Sequence, residues 1–190
     1  LCRVPDPGRS PVAFDEHRYE AALVGLPPCY REDFAAAAQA LRRCVESGQR
    51  VTVLLNAPSG APVDDLVRAL ASCVSRDALP ALTIDAGSCS SSLDLMGCAA
   101  SFSQAALGMV ARGLFESGEC GVIVRNAHTL ANLKKSDGDP VQFLKTLARC
   151  GTFRDAYLGI QARFSQPLII VCDAASRDKG FASCCAVSAT

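Results

Sequence analysis

Four short, almost continuously apolar runs constrain this chain most. They are Val51–Leu55, 81–84 (Ala-Leu-Thr-Ile), Gly121–Val124 and Leu168–Cys172. Each is strand length and bounded by polar or turn-forming residues, and three of the four are rich in β-branched side chains. Between them the apolar residues recur at helical spacing, as at positions 63, 66, 67, 70 and 74. Helices are expected over Ala35–Val45, Val63–Ser75, Ala105–Phe115 and Val141–Ala148, the last with Gly151 just beyond it. Glu32 and Asp33 are read into the first turn of the earliest of these, and Arg42 and Arg43 near its end, as a helix dipole favours. Strands alternating with helices imply right-handed crossovers and a parallel sheet covered on both faces. Unbroken apolar strands fit burial on both sides. The expected fold class is α/β, a three-layer α/β/α parallel sheet.

Composition narrows the function. The chain has 190 residues, with 19 Lys+Arg against 19 Asp+Glu. A protein dedicated to nucleic acid needs a basic surplus to displace counterions, so no nucleic-acid partner is expected. No apolar run nears the ~20 residues of a membrane span. The 11 cysteines are scattered, with no CxxC pair and neither histidine near two of them. That pattern argues against zinc and for small buried hydrophobes in a reducing compartment. The Pro-rich, charged residues 1–18 read as linker and 19–190 as one domain. A chain that begins at Leu1 and stops soon after a strand reads as a piece of a longer protein.

Ligands of parallel sheets bind at the carboxyl ends of the strands. The first strand-to-helix turn runs Asn56, Ala57, Pro58, Ser59, Gly60, Ala61, Pro62, Val63, Asp64. Its frame is that of a phosphate-binding P-loop, GxxxxGK[ST]. In that frame Ala57 stands for the first glycine, Pro62 for the second, Val63 for the lysine and Asp64 for the hydroxyl residue. Each change works against a nucleotide. Pro62 has no N–H to cradle a phosphate. Val63 carries no cation. Asp64 would repel a phosphate by about 4 kcal/mol at ~4 Å and an effective dielectric near 20. The simplest role for Asp64 and Asp65 is to cap their own helix.

The third strand repeats the pattern. In P-loop ATPases an acid at its end serves magnesium and a neighbouring group orients water. Here Arg125 and Asn126 follow Val122-Ile-Val. The chain thus keeps both frames, a degenerate Walker A and a degenerate Walker B, without their charges.

With these motifs the sequence resembles the AAA+ family. The matching stretches are Leu54-Leu-Asn-Ala-Pro-Ser-Gly, Thr83-Ile-Asp-Ala, Gly121-Val-Ile-Val-Arg-Asn-Ala-His-Thr-Leu and Pro167-Leu-Ile-Ile-Val-Cys-Asp-Ala. Ile84-Asp-Ala-Gly-Ser-Cys and Leu168-Ile-Ile-Val-Cys-Asp-Ala-Ala-Ser-Arg are also similar to the first AAA domain of the peroxisome-biogenesis ATPases, peroxin-six type. The resemblance implies the large subdomain of an AAA+ module with its helical lid outside this segment. It places a sensor residue at Asp173. It implies other AAA+ subunits in a ring as partners, a membrane-anchored adaptor, and a cytoplasmic setting at the peroxisomal membrane. The expected function is a hydrolysis-deficient ring module of a receptor-extracting ATPase, without a cofactor of its own. Two alternatives stand beside it: an active ATPase using ATP and magnesium through substituted motifs, and a stand-alone activator of another ATPase.

Weaker signals remain. His128 is expected to cap or pack at the third strand's end. Lys134 and Lys135 with Asp137 and Asp139 read as a solvated loop, and Arg154, Arg163 and Arg177 as surface charges. Leu93–Met96 and Phe102 are weighed as a substrate-facing loop.

Overall fold

The computed structural model describes residues 13–47, 51–57, 63–74, 82–117, 121–134, 138–164, 167–173, 180–181 and 187–189. The expected α/β architecture is what it shows. Five parallel strands form one sheet in the order β2-β3-β6-β1-β7. They are β1 (Thr52–Ala57), β2 (Leu82–Asp85), β3 (Val122–Arg125), β6 (Leu168–Asp173) and β7 (Val187–Ala189). A separate antiparallel pair joins β4 (Thr152–Arg154) to β5 (Gln161–Arg163). The helices are α1 (Glu16–Gly25), α2 (Pro28–Glu46), α3 (Val63–Val74), α4 (Ser92–Met96), α5 (Met109–Ser117) and α6 (Pro140–Cys150). Turns of 3-10 helix follow β2 at Ala86–Ser88 and β3 at Ala127–Asn132.

The continuous apolar runs have a direct structural cause. Successive strand side chains point to opposite faces, and here both faces are covered. Val53, Leu55, Ile123, Ile169 and Val171 face a core completed by Phe34, Leu41, Val67 and Leu70 of α2 and α3. Leu54, Val122, Val124, Leu168 and Ile170 face a second core with Leu95, Val110, Leu130, Leu144 and Leu147. The edge strand β2 is the exception. Ile84 is buried, whereas Thr83 and Asp85 are exposed.

Several boundaries differ from the sequence reading. The helix expected at Ala35 starts at Pro28, which sits at the first helical position, where its missing N–H costs nothing. Glu32 and Asp33 therefore fall beyond the first turn. The linker ends sooner than residue 18. Asp15 accepts a hydrogen bond from the Arg18 N–H to start α1, and its own N–H donates to the Cys73 carbonyl. The helix expected from Ala105 starts at Met109 because the Gly108 N–H is held by the buried carboxylate of Asp155, Oδ2 at 2.9 Å. A Cβ at Gly108 would lie 2.4 Å from the Leu95 carbonyl oxygen, so only glycine fits. α6 runs from Pro140, with Asp139 accepting from the Val141 and Gln142 N–H groups, to Gly151 in the left-handed conformation (φ 62°). The substrate-loop reading of Leu93–Met96 fails in its first part. These residues lie in α4, and Leu95 is core; Phe102 is exposed.

Candidate functional site

The parallel strands present their carboxyl ends at one edge, and that edge gathers the charged residues the sequence singles out. Ala57 ends β1, Asp85 ends β2, Arg125 ends β3 and Asp173 ends β6. Sheet register sets Asp85 beside Arg125 and Ala57 beside Asp173. β6 lies between β1 and β3 in this sheet.

Pro58, Ser59, Gly60, Ala61 and Pro62 lie outside the described residues. The flanking residues are described. Ala57 and Val63 are partly buried and pack on the α2–α3 core. Asp64 and Asp65 stand in the first turn of α3, as the sequence suggests. Asp64 does more than favour its helix dipole. Its Oδ2 pairs with Arg125 Nη1 at 3.0 Å. The charges of Arg125 and Asp64 neutralise each other. Their side chains are 37% and 43% exposed, so the pair is worth about 0–1 kcal/mol in solvent.

Asn126, the other substituted residue at the third strand, adopts the left-handed conformation (φ 53°, ψ 31°). Asparagine tolerates that region better than most side chains. Its Nδ2 donates to Asp85 Oδ1 at 2.8 Å, and the Gly87 N–H donates to the same oxygen at 2.9 Å. The Asn126 hydrogen bond, then that of Gly87, then the charge of Arg125 hold the Asp85 carboxyl below its ordinary range against a partial burial that opposes them. His128 Nδ1 accepts from the Asp173 backbone N–H at 3.1 Å, so the ring proton belongs on Nε2. The expectation that His128 packs at the strand end holds. Asp173 lies at the end of β6, where the resemblance places a sensor.

Asp85 is the residue the sequence reading passed over. The signal was available: it ends its strand as Arg125 and Asp173 end theirs. Among the described residues no cluster of His, Cys, Asp and Glu suits a metal ion. The residues present do not fit magnesium, because the Asp64 carboxylate is paired with a guanidinium where the metal's acid would stand. Arg154 and Arg163 are exposed on the β4–β5 pair, and Arg177, Lys135 and Asp137 lie outside the described residues. No disulfide joins the described cysteines. No helix of the described residues is long and apolar enough to cross a membrane.

No protein-family model matches this chain. No curated protein matches it either. Among solved structures it is similar to NtrX from Brucella abortus, with a TM-score of 0.59 at 12% sequence identity, over 92% of this chain and 39% of that one. That likeness concerns the fold.

Proposed function

We propose that this chain is a hydrolysis-deficient AAA+-like domain, a structural or regulatory ring module that transmits nucleotide-driven motion made elsewhere. The observation that carries the reading is the Asp64–Arg125 ion pair. An ATPase aims a cation and a hydroxyl at the phosphates from the start of the helix after β1, and an acid at magnesium from the end of β3. This chain sets an acid at the first place and a base at the second, and each satisfies the other. The cation the phosphates would need is replaced by Val63, whose side chain is engaged in the core.

The partners that fit this reading are catalytically active AAA+ subunits, with a membrane-anchored adaptor. The sequence resemblance points to peroxisomal protein import as the setting, in the cytoplasm at the organelle surface. The direct test is equilibrium binding of a fluorescent ATP analogue with magnesium. The reading expects no saturable binding in the micromolar range. Micromolar binding abolished by Asp64→Ala would overturn it in favour of an active ATPase with substituted motifs.

A further inference from the structure

In a working P-loop NTPase, magnesium spans two protein elements: a hydroxyl at the start of the helix after β1 and an acid at the end of β3. The sequence frame puts Asp64 and Arg125 at those two places. In this protein they touch directly, Nη1 to Oδ2 at 3.0 Å. Arg125 also stands in register beside Asp85, whose Oδ1 is fixed by Asn126 and Gly87. The Arg125 guanidinium thus pairs with the Asp64 carboxylate of α3, while Asp85 of β2 stands beside it in register.

We propose that Arg125 is a built-in substitute for the metal ion, a ligand-independent clamp that ties the start of α3 to the end of β3. The inference rests on reading this edge as a lost nucleotide site, and it assigns that site's regulation. An active domain makes the bridge only when a metal–nucleotide complex is bound, so its phosphate loop alternates between two states. Here the bridge is part of the chain. The start of α3 is therefore tied to the end of β3 without a bound nucleotide, by the small stabilisation that an exposed ion pair supplies.

The test uses the full chain without nucleotide. Hydrogen exchange at residues 67–70 of α3 is measured for the wild type, Asp64→Asn, Arg125→Gln, the double variant Asp64→Asn/Arg125→Gln, and the exchanged pair Asp64→Arg/Arg125→Asp. Each single change should speed exchange about two- to fivefold, the size expected of an exposed ion pair. The double neutral variant should be no faster than either single one, and the exchanged pair should return toward wild type. Single changes that leave exchange at the wild-type rate, or effects that simply add in the double variant, would overturn the clamp. The ATP-analogue measurement is independent of this one. Loss of the clamp with no nucleotide binding would sink this inference alone, whereas a coupled pair in a chain that binds ATP would sink the reading of a lost site.

Discussion

Arg125 Nη1 and Asp64 Oδ2 lie 3.0 Å apart, joining the end of β3 to the first turn of α3. In the P-loop frame proposed for this edge, neither residue carries the charge an ATPase needs at its place. Together they neutralise one another's charge at the strand-end edge.

That balance predicts a gain of metal response when it is broken. Arg125→Asp would set a third carboxylate beside Asp64 and Asp85. Like charges ~4 Å apart repel by about 1 kcal/mol in a water-like dielectric, and more where solvent is partly excluded. The variant should melt below wild type in dilute buffer, and millimolar manganese should raise its Tm while leaving wild type unmoved. Equal manganese response in the two proteins would count against the geometry.

Asp155 predicts the largest effect of any single polar substitution. It is 1% exposed and accepts from the Gly108 N–H at 2.9 Å and the Leu158 N–H at 3.0 Å. It fixes where α5 begins and how the β4–β5 connection turns. Asp155→Ala strands the buried Gly108 donor, at a cost of about 1–3 kcal/mol for an unsatisfied buried group, and frees the part-buried Leu158 donor. Asp155→Asn keeps an acceptor and should lose less. Urea denaturation of the two variants would show the difference as a shift in midpoint.

How much of this was legible in the sequence depends on how far apart the interacting residues lie. β1, β3 and β6 stood out because burial on both faces leaves no polar interruption, as Leu168–Val171 show. β7 and the β4–β5 pair are three residues each, too short for a period to register. α4 was hidden behind Ser88–Ser92, where Ser91 and Asp94 form a capping box that reads as loop chemistry until the geometry is known. At the edge, the misplaced charges of Asp64 and Arg125 were visible one by one. Their contact was not, because it joins the first turn of α3 to the end of β3, elements distant in sequence that meet only in the fold. Asp155 gave no warning, sitting among Arg154, Tyr157 and other exposed neighbours.

The acid limb of stability should carry a contribution from Asp85. Its carboxyl is held below its ordinary value, first by the Asn126 amide. A group with a lowered folded-state value stabilises above its unfolded value and loses that contribution as pH falls through the folded one. Stability should therefore decline as pH falls from the ordinary carboxylate range through the lowered folded-state value, and Asp85→Asn should flatten that part of the curve. A denaturation series between neutral and strongly acid pH would check it. An unchanged acid limb would argue that Asp85 is not coupled to folding.

Thiol reactivity should separate the cysteines by burial. Cys29 and Cys150 are exposed, whereas Cys44, Cys73, Cys89 and Cys98 are buried. Burial pushes the Cys73 thiol up to about 11, which depletes the reactive thiolate further. In native protein Cys29→Ser and Cys150→Ser should each remove one fast-reacting thiol, and Cys73→Ser none. Full denaturation without reductant should release all 11 thiols. A lower total would point to disulfides and to the stand-alone activator in an oxidising compartment.

We propose that this strand-end edge serves no nucleotide. Calorimetric titration of the full chain with magnesium and ATP tests it most directly. The expected result is heats no larger than dilution at every ratio, with no turnover of ATP in the same sample. A saturable isotherm in the micromolar range, lost on substituting Asp64, would contradict it.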